Sequence, residues 1–385
     1  MTLKNQKHLF EIPEDVAYLN IASQSPAFKK VYEAGLQGLY EKKHPYKLQS
    51  SDFFEPVIEL KKLFSKLIDA DDYNRIATIP SVSYGFATVT NNIVLKENDE
   101  ILILAEQFPS NFYSWKKLTE KYNASLKVIK ATDDASNRTE HWNESILKHI
   151  NKNTAVIAMG NIHWSNGSLF NLKGISKKAK EHNALLIIDG SQSIGALPFS
   201  IKDIKPDALI CAGYKWLFGP YGCAYAYFGE YFDNGNPIEE NWANRLNSED
   251  LTKLTKYQPK YKPLANRYSV GESGNFIYVK MQIEALKQVI EWTPKAIQDY
   301  CKHISSEAVK ELINLGCIIE DDKFRTHHLF GIKLPEKLNI DTLKKDLIDK
   351  NIFVSFRGNY IRISSHLYNT KNDFKPLISS IAAHL

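Results

Sequence analysis

The chain has 385 residues, 43% hydrophobic and 24% charged, which excludes a disordered protein and leaves room for a large core beside a smaller one. Lysine plus arginine exceed aspartate plus glutamate by only 49 to 44, and the charges are scattered, which argues against a nucleic-acid footprint. Cys211, Cys223, Cys301 and Cys317 show no metal-ligand spacing, residues 1–15 are polar, and no apolar stretch reaches the roughly 18 residues of a membrane span, so the expectation is a reduced, cytoplasmic protein without a metal.

Short apolar runs at 75–79, 100–105, 126–130, 154–159, 184–188 and 208–211 alternate with helix-like stretches at 83–94, 111–122, 142–151 and 175–182. Strands of about five residues separated by helices predict βαβ units and a mostly parallel, doubly wound sheet. Residues 222–228 (GCAYAYF) alternate small and aromatic side chains and add a seventh strand, for which an antiparallel direction is open. Beyond residue 230 the pattern changes. Residues 239–262 are polar and read as a long irregular connection, and 275–304 form a long helical pattern with a bend expected near Pro294. A helix from 306, a strand at 329–334, a helix at 340–350, strands at 353–355 and 360–364 and a last helix then suggest a small α/β domain, with a boundary near 280.

Several residues carry candidate chemistry. The buried strand before residue 190 ends in the carboxylate of Asp189, followed by Gly190, Ser191 and Gln192. Ligands of open α/β sheets bind beyond the carboxyl ends of strands, where an acid pairs with a ring nitrogen or simply caps a turn. After the run 208–211 comes Gly213-Tyr214-Lys215-Trp216. Burial between aromatics lowers a lysine pKa and makes the amine nucleophilic, whereas a lysine reaching solvent would be ordinary. Together, an acid and a lysine so placed are what pyridoxal phosphate (PLP) needs: an amine to form an imine and an acid for the pyridinium nitrogen.

Pro80-Ser81-Val82-Ser83-Tyr84-Gly85 leads from a strand into a helix, whose free amides suit a phosphate. Ser83 serves there or is merely the N-cap. The missing first glycine of a nucleophile elbow excludes a serine hydrolase, and no strand is followed by a GxGxxG motif, which disfavours a nucleotide-dependent oxidoreductase. Phe108 stacks on a ring or fills the core beside a turn. Asn166 donates to a phenolate oxygen or forms an Asn-Gly turn with Gly167. Arg362, in the apolar run 360–364, grips a substrate carboxylate or an internal acid.

In this order the residues resemble the class V aminotransferase family of fold-type I PLP enzymes. The resemblance spans nearly the whole chain and rests on Tyr18-Leu19-Asn20, Asp189-Gly190-Ser191-Gln192, Tyr214-Lys215 and the closing run from Arg362 to Thr370. It implies a three-layer αβα fold with a mostly parallel seven-stranded sheet and a smaller C-terminal α/β domain. The division is 1–20 as an N-terminal segment on the small domain, 21–280 as the PLP-binding domain and 281–385 as the small domain.

The roles implied are Lys215 for the covalent link and proton transfer, and Asp189 for the pyridinium nitrogen. Gln192 and Asn166 take the phenolate side, Val82, Ser83 and Tyr214 the phosphate, Phe108 the ring face and Arg362 the substrate carboxylate. The segment 267–276, with Asn275, resembles one that reaches a neighbouring subunit's cofactor, which implies a homodimer with shared active sites. Relatives within this superfamily include kynureninases, cysteine desulfurases and isopenicillin N epimerase-like proteins, the last looking closest. Residues 351–362 hold no cysteine and Cys317 lies too early, which argues against sulfur transfer through a persulfide. Asn111 and Gln192 replace residues typical of kynureninases. The expectation is a PLP-dependent aminotransferase or Cβ-lyase acting on an α-amino acid. The alternatives are an epimerase or racemase, or a non-catalytic PLP carrier or sensor.

Overall fold

Apolar segments buried on both faces are what a helix-covered parallel sheet requires. The computed structural model describes residues 3–132, 137–358 and 360–385 and places seven such segments side by side. Residues 1 and 2 of the polar N-terminus, and Asn359 of the stretch before Arg362, lie outside the described residues. The strands in chain order are β1 (Ala17–Tyr18), β2 (Ile76–Ile79), β3 (Glu100–Leu104), β4 (Ser125–Ile129), β5 (Thr154–Gly160), β6 (Leu185–Asp189), β7 (Ala208–Ala212), β8 (Ala224–Phe228), β9 (Leu329–Lys333), β10 (Ile352–Phe353), β11 (Ser355–Arg357) and β12 (Tyr360–Ser364).

The central sheet runs β2-β8-β7-β6-β5-β3-β4. Its neighbours pair in parallel except that β8 is antiparallel to both β2 and β7, so the aromatic-alternating strand is the reversed one. Period-two side-chain alternation feeds two cores. Ile101, Ile103, Ile187 and Ile210 meet Phe86 and Trp115 on one face. Leu102, Leu104, Ile188 and Leu209 meet Trp142, Ile146 and Ile175 on the other. The fold is therefore α/β with three layers, as the sequence pattern leads one to expect.

The helical pattern at 275–304 is two helices, Phe276–Trp292 and Pro294–Asn314, rather than one bent one. Thr293 sits between them at φ 62°, its hydroxyl accepting from the Ala296 amide at 3.3 Å, and Pro294 opens the second helix at the position where its missing N–H costs nothing. Helices Lys29–Lys42 and Glu55–Leu67 carried no expectation from the sequence. Their apolar residues follow the helical period but are interleaved with exposed tyrosines and lysines.

The C-terminal strands form an antiparallel sheet in the order β11-β12-β9. The N-terminal segment reaches across the chain: β1 pairs in parallel with β10, Ala17 opposite Ile352 and Tyr18 opposite Phe353. A third core, with Phe10, Phe28, Trp216, Phe218, Trp292 and Tyr368, joins both ends of the chain to the loop after β7. Among the described residues no helix is long and apolar enough to cross a membrane.

The loop after β5 meets β9 through Gly167, whose φ is +78° and whose added Cβ would lie 2.5 Å from the Leu329 carbonyl oxygen. Gly167→Ala therefore combines left-handed strain with a backbone clash and should lower stability by about 2–3 kcal/mol. Gly316→Ala, at φ +85° with no atom nearer than 3.8 Å, should cost only the conformational part, about 1 kcal/mol. Thermal and denaturant unfolding of the two variants checks the order.

Candidate active site

β2, β3, β5, β6 and β7 end, and the antiparallel β8 begins, at the same edge of the sheet, and the turns there enclose a cavity of about 190 Å³. Its walls include Ser81, Val82 and Ser83 after β2, Gln107, Phe108 and Ser110 after β3, and Ile162 and Trp164 after β5. Asp189 at the end of β6 with Ser191 and Gln192 after it, Tyr214 and Lys215 after β7, and Tyr221 to Cys223 leading into Ala224 of β8 complete it. The sequence had spread these groups over more than a hundred positions; the sheet collects them.

Lys215 is buried, only 9% exposed. Its ammonium nitrogen lies 5.7 Å from the centre of the Phe108 ring and 5.6 Å from that of Tyr214. Burial pulls its pKa down to about 8; Asp189 pushes it back up, and Arg362 and Arg357 lower it further. Asp189 shows the converse. Burial raises its pKa, opposed by the Ser191 amide, which donates to Oδ1 at 2.9 Å, and by the charge of Lys215. The turn that delivers Lys215 needs a glycine before it, because a Cβ on Gly213 would stand 2.8 Å from the Cys223 carbonyl oxygen.

At the other end of the cavity, Ser81 rather than Ser83 is the N-cap of helix Val82–Asn91, its hydroxyl accepting from the Tyr84 amide at 3.1 Å. The capping reading of Ser83 is thereby replaced. Val82 and Ser83 occupy the first turn, where backbone amides have no helical partner, and the Ser83 hydroxyl donates to Ser110 at 2.9 Å. Phe108 is 43% exposed and packs edge-on against Trp164, ring centres 5.4 Å apart. Glu106 just before it adopts φ 55°, an uncommon left-handed turn that swings the segment over the cavity.

Gln192 lines the cavity, but its amide is largely committed elsewhere. Trp216 Nε1 donates to Oε1 at 2.9 Å, and Nε2 donates to the Ala22 carbonyl at 3.1 Å. The Gln192 carbonyl accepts from His328 Nε2 at 2.8 Å, and Gln298 Nε2 donates to His328 Nδ1 at 2.5 Å. The chain neighbour of Lys215 is thus clamped by a buried network that reaches helix Pro294–Asn314.

Three expected site residues do not line this cavity. Asn166 closes its own turn: Oδ1 accepts from the Ser168 amide at 3.1 Å, and its carbonyl accepts from Gly331 at 2.8 Å. Asn275 caps helix Phe276–Trp292 through the amides of Ile277 and Tyr278, and faces a larger cavity of about 640 Å³. Arg362 is 1% exposed behind the wall. It donates to the Trp164 carbonyl at 2.9 Å, to Ser23 at 2.7 Å and to Ser355 at 3.3 Å, and burial followed by the charge of Arg357 pulls its pKa down to about 9. Trp164 and Cys223, by contrast, were not singled out in the sequence, since neither follows a recognisable signal. No group of three or more His, Cys, Asp or Glu suited to a metal ion occurs among the described residues.

Known proteins share this fold. The family described as Aminotransferase class-V matches residues 17–377. An uncharacterised aminotransferase, YcbU, of Bacillus subtilis is 25% identical over 83% of this chain and 81% of its own. A probable cysteine desulfurase of Borreliella burgdorferi is 25% identical over 79% and 68% respectively. Among solved structures, a C-DES mutant with glycine covalently linked to its PLP cofactor superposes with a TM-score of 0.85 at 15% identity, covering 99% of this chain and 100% of that one. The same protein is described as a cystine C–S lyase in a complex with its product, cysteine persulfide, which superposes with a TM-score of 0.84 at 15% identity over 96% of this chain and 98% of that one.

Because the Asp189 charge holds the Lys215 pKa up, Asp189→Asn should drop it below about 8 in the cofactor-free protein. The pH dependence of acylation of the buried amine measures this, and an unchanged or raised value would show the two groups to be uncoupled.

Proposed function

The chain belongs to the class-V aminotransferase family, and from that premise we propose that it acts on an α-amino acid through Lys215 and Asp189, by removing the proton at Cα. It is a PLP-dependent enzyme of the aminotransferase and C–S lyase kind, and its cofactor is pyridoxal 5′-phosphate. The observation that carries the finer reading is a single cavity holding a buried amine of lowered pKa, a buried carboxylate and the first turn of a helix.

These groups fit the cofactor end to end. The unpaired first-turn amides of Val82 and Ser83, with the Ser83 and Ser110 hydroxyls and Tyr214, would hold the phosphate. Phe108 would cover one face of the ring, and Asp189, whose charged form the Ser191 amide and Lys215 favour against burial, would sit at its nitrogen edge. When bound, the cofactor supplies an aldehyde for covalent attachment and a protonated ring that accepts the electrons released at Cα. Lys215, at about 8, holds a useful fraction of free amine near neutral pH, both to attack and to shuttle a proton between Cα and its neighbour atoms. Gln192 acts chiefly through Trp216, fixing the residue next to Lys215. The resemblance to the family assigns the carboxylate to Arg362, whose guanidinium lies behind Trp164 at the cavity wall. Asn275, in the segment 267–276, belongs in this reading to the active site of a second copy, and the exposed stripe Tyr32, Leu36, Leu39 and Tyr40 on helix Lys29–Lys42 supports a homodimer.

The thiols speak against a persulfide relay. All four cysteines are buried. Burial pushes Cys223, the one that lines the cavity, up to about 12, so it carries almost no thiolate. Transamination or β-elimination without a cysteine nucleophile is the reaction this site supports.

Lys215→Ala should abolish the visible absorbance of the purified protein and lower turnover by more than about a thousandfold. A panel of amino acids scored for keto acid, ammonia and sulfide then separates transamination from elimination. Retention of the visible band in the variant would remove Lys215 from the chemistry.

A further inference from the structure

β11 and β12 pair so that Ser355 faces Arg362 and Arg357 faces Tyr360, which puts both arginines on one face of the hairpin. Both guanidiniums reach the same residue. Arg362 donates to the Trp164 carbonyl at 2.9 Å, and the Arg357 guanidinium lies 5.1 Å from the centre of the Trp164 ring. Trp164 in turn lines the cavity and packs edge-on against Phe108, so the two guanidiniums lie behind this part of the wall, near enough for both charges to lower the Lys215 pKa.

What these arginines lack is as informative as what they hold. Among the described residues no carboxylate lies within 4.0 Å of either guanidinium, although Arg362 is fully buried and Arg357 partly so. Arg357 gives one N–H to the Phe356 carbonyl at 2.7 Å, and Arg362 uses carbonyl and hydroxyl oxygens. Each leaves a buried Nε without a hydrogen-bond partner. Arg357 lowers the affinity of Arg362 for a proton, and both lower that of Lys215, rather than being neutralised. A buried guanidinium with a second, partly buried one on the same hairpin face is costly unless an anionic ligand answers both, and a single α-carboxylate answers one.

We propose that Arg357 is a specificity-determining residue which, beside Arg362, selects an α-amino acid whose side chain carries a second anionic group. The assignment rests on the reading that Lys215 holds the cofactor and Arg362 faces the α-carboxylate. Arg357, stacked on Trp164, then meets the acidic end of the side chain, and its planar fork matches a carboxylate or sulfinate. Neutral amino acids leave it unpaired.

The test uses the cofactor-loaded protein and two acids that cannot react, succinate and butyrate, titrated calorimetrically. Succinate should bind at least about tenfold more tightly, Arg357→Gln should erase that ratio with butyrate affinity unchanged, and Arg357→Lys should keep part of it. Turnover of aspartate against asparagine, and of glutamate against glutamine, should show the same loss of preference. Equal affinities in the unaltered protein, or a parallel loss for both acids in Arg357→Gln, would overturn the assignment. If instead the unaltered protein shows no visible cofactor band, the reading of Lys215 fails and this inference falls with it. A band that responds to amino acids, together with equal succinate and butyrate binding, would sink the second anionic site alone.

Discussion

The structure turns on keeping one amine and one carboxylate out of bulk water at the same edge of a sheet. Lys215 falls from 10.5 to about 8 because burial outweighs the attraction of Asp189, a difference of about 3 kcal/mol between its two protonation states. Asp189 is pushed the other way by the same desolvation. Removing the charge of either would leave the other alone in a low-dielectric wall, the costly case for buried ions. The strand ends make the arrangement possible, since β6 and β7 are neighbours whose turns open toward the same side.

That pair is held by a buried relay of side chains. Trp216 is fixed by Gln192, Gln192 by His328 and Ala22, and His328 by Gln298. Burial keeps His328 neutral, its pKa pushed down to about 3, so its Nε2 donates while Nδ1 accepts. Every polar group of the relay is satisfied, which is the condition under which buried polar networks specify one geometry. The relay also ties the loop after β6 to helix Pro294–Asn314 and to the N-terminal segment, so distant parts of the chain share the positioning of Lys215.

The substrate end is organised by charge rather than by shape alone. Arg357 and Arg362 lie behind the cavity wall and lower the Lys215 pKa, while Asp189 raises it. An amino acid carries charges of both signs, and a field of this polarity orients it before any bond forms. Trp164 links the two ends, lying under Arg357 and against Phe108.

By itself the sequence determined the seven strands, the reversal open to the last of them, the acid and the lysine, and the helix turn suited to a phosphate. Each of these is a local signal: a run of β-branched residues, a residue at a strand end, serines before a helix. Only the tertiary structure decided what those side chains do. It made Ser81 the cap and freed Ser83, spent the Gln192 amide on Trp216, and closed Asn166 into its own turn. It also brought Arg357 beside Arg362, through a hairpin register that no spacing encodes. Hydrogen-bond partners far apart in the chain compete for the same polar atom, and which one wins is settled by packing, not by the order of residues.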